Sequence, residues 1–293
     1  MREQGLMAKR YMMIFIVAMG CMGFIITSKI HTPTPDAFSK NTTRFALVSL
    51  LSIEGPQEWW RVQKYISAAE KLAHSFRKHS DLDMVLIVVD NYDTLRKRDE
   101  TRLKNSGWSV HRLRKGIVPQ NQDWGQLYYS KLFSKLWIWR LTMYEKLLYT
   151  DLDVLFLHTP EPLFNTRLLH QYPAMAIDST QKHHCFNSGV MLLQPNEDEY
   201  QRLISYMDSN THKTEQDFLN IFYHGHIKKL DARFNMPVCS HEKVCLNDMT
   251  PTKDAFTDKT VILHFTGNNK PWDMQNCIDQ KIAQLCLYWK HYK

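Results

Sequence analysis

The chain has 293 residues, of which 44% are hydrophobic, and its formal net charge is +7 at pH 7. This length allows one large domain with a proper core, and no internal repeat or low-complexity block indicates a repeat architecture. The positive charge suits anionic ligands or membrane surfaces. Because the basic residues are scattered rather than concentrated in one patch, the composition argues against nucleic-acid binding.

The N-terminal segment predicts a membrane anchor. Residues 11–28 carry no charge, and their length is near the lower limit of the roughly 17–25 residues that cross a bilayer. Arg2, Lys9 and Arg10 precede this stretch, which favours a cytoplasmic N-terminus. A cleaved signal peptide is the alternative, but its apolar core is only about 7–15 residues and ends in small residues. We therefore expect residues 1–10 to be a cytoplasmic tail and residues 11–28 a signal anchor.

Residues 29–43 have the composition of a linker, with two prolines and several hydroxyl side chains. Asn41 begins an Asn-Thr-Thr acceptor for N-glycosylation, which supports a lumenal location for the domain that follows, residues 44–293. In an oxidising lumen some cysteines should pair, and Cys239–Cys245 is the favoured local bridge. The sequence has no C-x-x-C pair, which argues against a tetrahedral zinc site.

Apolar strands alternate with helical segments in the first half of the domain. The strands cover residues 45–51 and 84–89, which are apolar throughout, and residues 108–113, which we expect to be half-buried. The helices cover residues 57–76, a segment ending near Gly107 and residues 130–142. Strands that are apolar throughout predict an α/β fold with a mostly parallel sheet that helices cover on both faces. In such sheets ligands bind beyond the carboxyl ends of the strands.

The segment KLLYTDLDVLFL, residues 146–157, places Asp151 and Asp153 between two apolar runs. If the chain is extended there, both carboxylates point to the same side, about 6–7 Å apart. Two ionised carboxylates at the end of a buried strand repel each other and are costly to desolvate, and a shared divalent cation relieves both effects. The alternative, common for an isolated D-x-D, is that both aspartates lie in a solvated turn.

Four segments occur in an order and at separations that carry a family resemblance. They are FSKLWIWRLTMYEKLLYTDLDVL (residues 133–155), FNSGVMLLQP (186–195), EQDFLN (215–220) and HFTGNNKPW (264–272). Together they resemble the glycogenin-like family 8 glycosyltransferases, which use nucleotide-sugar donors, and the resemblance covers about residues 45–272. It implies a Rossmann-like GT-A fold, a Mn²⁺ ion, and sugar transfer with retention of configuration.

The resemblance implies a metal site made of Asp151, Asp153 and His264. Carboxylate oxygens are hard ligands, and an imidazole is acceptable to Mn²⁺. The alternative for His264 is a hydrogen-bonded histidine that ends a strand. In the same loop, Gly267 permits close backbone approach to a phosphate, and Lys270 brings positive charge to the diphosphate.

Further residues are assigned to the donor by the resemblance. Lys135 matches a lysine that contacts the donor in the family, and Lys131 offers a rival register four residues earlier. Leu152, between the two aspartates, belongs to the same donor-binding set, together with Ser188 and Gly189.

The reacting end of the sugar is assigned to two other segments. Residues 187–189 are expected to form a turn before a strand, with Asn187 near the donor sugar. Glu215, Gln216 and Asp217 open a predicted helix, where acidic residues also suit the first turn. The resemblance places Gln216 towards the reacting carbon and groups Asp217 with it. Which acid, Glu215 or Asp217, reaches the sugar stays open.

The chain departs from the family in its first strand–helix connection. Relatives have a T-x-N/D-x-x-Y run that contacts uracil, whereas SLLSIEGPQEWW stands here. Trp59, Trp60 or Tyr65 could stack on the base, although a core role is the alternative for each. Trp272 is expected to be a buried anchor for its loop, and Trp289 to lie on the packing face of a C-terminal helix.

The sequence therefore predicts a type II membrane glycosyltransferase of the Golgi or endoplasmic reticulum. It would transfer a hexose or uronic acid from a UDP-sugar, with UDP-glucose or UDP-glucuronate favoured, to a glycan, polysaccharide or other hydroxyl acceptor. One rival is a glycoside hydrolase that uses Asp151 and Asp153, which requires carboxylates about 5 Å or more apart on opposite sides of a bond. Another is a lumenal protein that binds a nucleotide sugar or glycan without turnover. The oligomeric state is open, with a homodimer among the candidates.

Overall fold

The computed structural model describes residues 44–53, 59–119, 131–178, 185–210, 214–238, 259–267, 270–272, 288–290 and 292. The predicted tail, anchor and linker, with Asn41, lie outside these residues, as does the predicted Cys239–Cys245 bridge. Of the helices in the described part of the chain, none is both long and apolar enough to cross a membrane. Cys185, the one cysteine within the described ranges, is a free thiol.

The first half of the domain alternates strands and helices, as predicted. Its elements are β1 (Phe45–Ile53), α1 (Trp59–Arg77), β2 (Asp83–Asp90), α2 (Lys97–Asn105) and β3 (Ser109–Leu113). β1 and β2 are buried along almost their whole length, which agrees with their uninterrupted apolar sequences. β3 is only half-buried, also as predicted, because it forms one edge of the sheet.

The second half contains shorter elements. They are a 3₁₀ helix (Lys131–Arg140), β4 (Lys146–Thr150), β5 (Val154–Phe156), a 3₁₀ helix (Glu161–Asn165), β6 (Ala174–Ile177), β7 (Phe186–Leu193), α3 (Glu197–Ser209), α4 (Glu215–Phe222), β8 (Lys228–Lys229), a 3₁₀ helix (Ala232–Phe234), β9 (Met236–Pro237) and β10 (Ile262–His264). Asn196 and Thr214 cap α3 and α4, each accepting a backbone N–H of the first turn.

The strands form two sheets. The larger has the order β3-β2-β1-β4-β7-β6-β8. Its first four strands are parallel, and β7 runs antiparallel to both β4 and β6. The smaller sheet has the order β5-β10-β9, with β10 antiparallel to β5 and parallel to β9. The predicted mostly parallel α/β sheet is therefore confirmed, with a second sheet added.

Both faces of the larger sheet are covered, which also agrees with the prediction. Alternate side chains of β1 enter different clusters, since successive residues of a strand point to opposite faces. Leu47 and Leu51 pack in the cluster that contains α1 and the smaller sheet. Val48 packs on the other face with residues of the 3₁₀ helix Lys131–Arg140 and of α3 and α4, such as Leu203 and Phe218.

One local prediction is wrong, and one alternative that the sequence left open is decided. The chain turns at Asp151 and Asp153 rather than staying extended, because β4 and β5 belong to different sheets. Residues 187–189 are not a turn before a strand but part of β7 itself. They lie between two ladder pairs, Phe186 with Ile177 and Val190 with Thr150, in the stretch where the register between β6 and β7 shifts.

The contact between α1 and β5 joins the two sheets, and it can be tested. Phe76 is fully buried, and its ring lies edge-on to that of Phe156, with centroids 5.1 Å apart. Phe76→Ala should lower the free energy of unfolding by about 3–5 kcal/mol, measured by urea denaturation of the full-length chain. Tyr92 is 63% exposed, so the control Tyr92→Ala should stay within about 0.5 kcal/mol of the wild type. Equal effects of both changes would contradict this packing.

Candidate active site

The predicted site residues lie around two adjoining cavities near the carboxyl ends of β1 and β4. The larger, of about 530 Å³, is lined by Lys135, Leu152 and Trp60 among others. The smaller, of about 320 Å³, is lined by Asn187, Ser188, Gly189, Gln216, Asp217 and His264. Asp151, Asp153, Gly267 and Lys270 line both cavities. The structure thus brings together every residue that the sequence assigned to the site.

The acidic turn between β4 and β5 is held by neighbouring strands. Asp151 N–H donates to the carbonyl of Gly189 over 2.8 Å, and the carbonyl of Asp153 accepts Phe265 N–H over 2.9 Å. The Tyr149 hydroxyl donates to Asp151 Oδ1 at 2.7 Å. Burial, followed by the charge of Asp151, raises the pKa of Tyr149 well above its ordinary value, so this hydroxyl stays protonated and keeps donating.

His264 completes a set of three potential metal ligands. Pairing of β10 with β5 places His264 opposite Val154, next to the acidic turn. One ligand atom each of Asp151, Asp153 and His264 lies within 4.8 Å of the others. His264 Nε2 is 3.4 Å from Asp153 Oδ1, and its Nδ1 is 2.8 Å from Asn235 Oδ1. Two carboxylates and one imidazole are a suitable donor set for a divalent cation such as Mn²⁺.

Gly189 provides an independent test of that fit. A Cβ atom at this position would lie 2.2 Å from His264 Cε1 and 2.9 Å from Asp151 Oδ2. Real Cβ atoms do not approach so closely, so His264 and Asp151 can lie against the backbone of residue 189 only because it has no side chain. Glycine at this position therefore allows two of the three potential ligands to converge, as a shared cation requires.

Lys270 lies against the acidic turn from the loop after β10. Its Nζ contacts Asp153 Oδ2 and the carbonyl of Phe265. Burial works to raise the pKa of Asp153, but Lys270 and His264 outweigh burial and hold that pKa well below its usual range. Asp153 is therefore ionised, as a metal ligand must be and a general acid must not be. Gly267 has φ of +74°, a backbone conformation that favours glycine.

Lys135 lies beneath the cavities as a buried counter-charge. Its Nζ is 2.7 Å from Glu215 Oε1, 3.4 Å from Asp151 Oδ1 and 3.2 Å from the carbonyl of Ser188. Burial works to lower the pKa of Lys135, but the two carboxylates reverse the shift and the pKa is raised. Glu215 is thereby engaged with Lys135 while it lines both cavities, and Asp217 lines the smaller cavity. Lys131, the rival register, also lines the larger cavity.

The side-chain amides of Gln216 and Asn187, both predicted to lie near the donor sugar, each make two hydrogen bonds on opposite ends of the amide. Gln216 Oε1 accepts Ser188 N–H over 3.0 Å, and its Nε2 donates to Asp178 Oδ2 over 3.0 Å. Asn187 Oδ1 accepts Gly189 N–H over 3.0 Å, and its Nδ2 donates to the same Asp178 oxygen over 3.3 Å. Sequence reasoning missed Asp178, because a single aspartate after an apolar strand carries no distinguishing pattern.

Aromatic residues line the larger cavity near the start of α1. Trp60 is 64% exposed there, and Lys64 Nζ lies 5.0 Å from its ring centroid. Tyr65 packs edge-on against Trp272, with centroids 5.1 Å apart, and Trp272 packs against Trp289. Trp272 packs against the core as expected, but it is only half-buried and also lines the larger cavity. Trp289 is buried, as expected of a packing residue, while the rest of the predicted C-terminal helix lies largely outside the described residues.

The close approach of His264 and Asp151 to Gly189 predicts that a side chain at this position will weaken cation binding. Gly189→Ala should weaken binding of a divalent cation by at least about tenfold, since disruption next to metal ligands costs about 10–100-fold in affinity. Binding would be measured by electron paramagnetic resonance with Mn²⁺. Val190→Ala removes buried volume at the next residue of β7 and adds no atoms beside the metal ligands. This control should therefore lose stability but keep its cation affinity. Equal cation affinity of Gly189→Ala and wild type would refute the site.

Comparison with known proteins agrees with this geometry. Residues 61–276 match the family described as Glycosyl transferase family 8. A glycogenin of Neurospora crassa is 28% identical over 171 residues, which is 55% of this chain and 24% of that protein. A putative UDP-glucuronate:xylan alpha-glucuronosyltransferase 3 of Arabidopsis thaliana is 25% identical over 214 residues, 72% of this chain and 33% of that protein. The chain spans less than half the length of these relatives.

Solved structures show the same fold. The glycosyltransferase GlyE of Streptococcus pneumoniae aligns with a TM-score of 0.60 at 18% identity, over 85% of this chain and 61% of that one. The galactosyltransferase LgtC, solved with donor and acceptor sugar analogs, aligns with a TM-score of 0.56 at 17% identity, over 82% of this chain and 95% of that one. Because the family match covers most of the described domain, the chain belongs to glycosyl transferase family 8.

Proposed function

We propose that this chain is a UDP-sugar-dependent glycosyltransferase that uses Mn²⁺ and transfers a hexose or uronic acid with retention of configuration. The acceptor would be a glycan, polysaccharide or other hydroxyl compound. One observation carries the proposal: the three ligand residues Asp151, Asp153 and His264 stand where the two cavities adjoin, next to Lys270. That arrangement suits a ligand whose diphosphate lies at the junction, with its nucleoside in one cavity and its sugar in the other.

The leaving group would be held at this junction. A bound Mn²⁺ would act as a Lewis acid on the diphosphate oxygens while negative charge develops on them. Asp151 and Asp153 would supply its oxygen ligands, and His264 its nitrogen ligand. Lys270 lines both cavities and lies beside Asp153, so its ammonium group can move between that carboxylate and a diphosphate oxygen. Gly267, in the same loop, has open space on the side where a side chain would be.

The sugar would lie in the smaller cavity, against Asn187, Gln216 and Asp217. The hydrogen bonds of Gln216 to Ser188 N–H and to Asp178 hold its amide in one orientation at the cavity wall. A group held in place before the substrate arrives costs less to organise in the transition state. Asp217, rather than the Lys135-bound Glu215, is the acid that we assign to the sugar.

The nucleoside would lie in the larger cavity. Residues 54–58 of the atypical first connection lie outside the described residues, but the neighbouring Trp60 presents an exposed ring to the cavity. An aromatic face of this kind stacks on a base without reading its hydrogen-bonding edge. Leu152, buried at the cavity wall, would contact the nucleotide through its backbone or its apolar surface.

The rival functions fit the site less well. A hydrolase that used Asp153 as its acid would need that carboxyl group protonated, whereas Lys270 and His264 hold the pKa of Asp153 below its usual range despite the opposing effect of burial. A binding protein without turnover would not require the intact set of metal ligands, Lys270 and Gln216. The named activity of the Arabidopsis relatives supports UDP-glucuronate as one donor to test, and UDP-glucose is the other.

Turnover with a panel of UDP-sugars tests this function. The full-length chain should hydrolyse or transfer at least one UDP-sugar with Mn²⁺ and lose that activity in chelator. Asp153→Asn removes ligand charge and should lower turnover at least about a hundredfold, the scale for losing one charge-stabilising group in a shielded site. Asp93→Asn changes an exposed aspartate that lines neither cavity and should keep full activity. Calorimetric binding of a UDP-sugar without any turnover would support the binding protein instead.

We further propose that the chain is anchored in the Golgi or endoplasmic-reticulum membrane with its domain in the lumen. The support is the uncharged stretch of residues 11–28, the basic residues before it and the glycosylation acceptor Asn41. Protease added to intact microsomes should leave the domain undigested and should cleave it after detergent is added. A mature N-terminus near residue 28, or digestion of the domain in sealed microsomes, would contradict the anchor.

A further inference from the structure

We propose that Asp178 and Asn235 are positioning residues that set the tautomer of His264 and the orientation of Gln216 through one chain of hydrogen bonds. The inference rests on the proposed function for its consequence in catalysis, but its structural content concerns the metal-free protein. Neither residue belongs to any of the four motif segments. Both are almost fully buried, with 5% of the residue exposed in each case.

The chain of contacts runs from the metal site to the sugar site. His264 Nδ1 is 2.8 Å from Asn235 Oδ1, and Asn235 Nδ2 is 2.9 Å from Asn187 Oδ1. Asn187 Nδ2 lies 3.3 Å from Asp178 Oδ2, and Gln216 Nε2 lies 3.0 Å from that same oxygen. Three side chains, those of Asn235, Asn187 and Asp178, therefore connect His264 to Gln216, and Asp178 accepts from both amides at the sugar end.

Two backbone N–H groups of β7 determine the direction of every hydrogen bond. A backbone N–H can only donate. Gly189 N–H faces Asn187 at 3.0 Å, so the atom of Asn187 on that side is its oxygen and its NH₂ group points to Asp178. Ser188 N–H faces Gln216 at 3.0 Å, so the oxygen of Gln216 is there and its NH₂ group also points to Asp178. An ionised carboxylate, which only accepts, is the matching partner for both.

The same reasoning reaches the histidine ring. Because Asn187 Oδ1 can only accept, Asn235 must present its NH₂ group to it and its oxygen to His264. His264 Nδ1 must then carry the proton, which leaves the lone pair on Nε2, the nitrogen that faces Asp153 Oδ1 at 3.4 Å. A hydrogen bond at one ring nitrogen commonly decides which nitrogen binds a metal.

Burial makes this control effective. His264, Asn235 and Asn187 are 3%, 5% and 9% exposed, so bulk water does not replace a partner that is removed. A histidine without the Asn235 oxygen would distribute its proton between both nitrogens, and part of the population would present N–H rather than a lone pair to the metal. Loss of Asp178 would release Asn187 and Gln216 together, which would disturb both halves of the site at once.

The test begins with the tautomer in the metal-free, full-length chain in detergent. Nitrogen-15 NMR of labelled histidines, with His264 assigned from its absence in His264→Gln, should show the proton on Nδ1 in the wild type. Asn235→Leu should shift the proton towards Nε2 and weaken Mn²⁺ binding by about 10–100-fold, the usual cost of losing a partner of a metal-bound histidine. Asn235→Asp keeps an oxygen for Nδ1–H and should restore the tautomer.

A matched control separates positioning from general destabilisation. Asn220 also binds β7, accepting Phe186 N–H over 2.7 Å and donating to the Phe186 carbonyl over 2.8 Å, but it does not contact His264. Asn220→Leu should lower stability and leave the tautomer and the Mn²⁺ affinity unchanged.

At the sugar end of the hydrogen-bonded chain, Asp178→Leu should lower both kcat and Mn²⁺ affinity. Asp178→Asn, with an oxygen in the same place, should retain most of each.

The outcomes are distinct. A wild-type His264 that carries its proton on Nε2, or an Asn235→Leu variant with the wild-type tautomer, would overturn the inference. So would an Asp178→Leu variant with unchanged kcat and Mn²⁺ affinity. A wild-type chain that binds no Mn²⁺ would overturn the proposed function instead, while the tautomer measurement would still decide for or against the hydrogen-bonded chain.

Discussion

Negative charge gathered beneath the cavities is the constraint on which the rest of the site depends. Asp151, Asp153 and Glu215 come from the turn after β4 and from the first turn of α4, and two of them are almost fully buried. Charges removed from water are costly unless opposite charges and hydrogen bonds compensate for them. Lys135 compensates Glu215 and part of Asp151, and Lys270 compensates Asp153. Asp151, Asp153 and His264 converge beside Gly189, where a divalent cation would add to this compensation.

This compensation also holds distant parts of the chain together. Lys135 comes from a 3₁₀ helix before β4, whereas Lys270 and His264 come from the far end of the domain. The strand β10 reaches the acidic turn because it pairs with β5 in the smaller sheet. Trp272 and Trp289 then pack the loop after β10 against Tyr65 of α1. The ion pair of Lys270 and the packing of Trp272 thus both hold the loop after β10 in place.

The strand β7 has a second role besides pairing with β4 and β6. Its backbone N–H groups at Ser188 and Gly189 face side-chain amides, and its carbonyl at Gly189 accepts from Asp151. Because these two backbone N–H groups can only donate, the polar side chains around them have one consistent set of donors and acceptors. Substitution of Asn235 or Asp178 is therefore expected to reorient the other hydrogen-bonded side chains between His264 and Gln216, and not only its direct partners.

Much of the fold and most residues of the candidate site could be predicted from the sequence alone. Apolar strands and helical periodicity predicted β1, α1, β2 and the parallel α/β sheet, because such patterns depend on neighbouring residues. The motif segments identified Asp151, Asp153, His264 and Lys270. Only the tertiary structure decided that the acidic pair lies in a turn and that residues 187–189 lie within a strand, since strand partners are remote in sequence.

The same reason explains why Asp178 and Asn235 were missed. They lie nine and 48 residues from their shared partner Asn187, and single polar residues at such separations leave no periodicity or motif to read. The sequence determined which groups could hold a cation and a diphosphate. The packing of the two sheets decided which buried side chains orient these groups. The reason is that the donor and acceptor directions are set only once the backbone of β7 is in place.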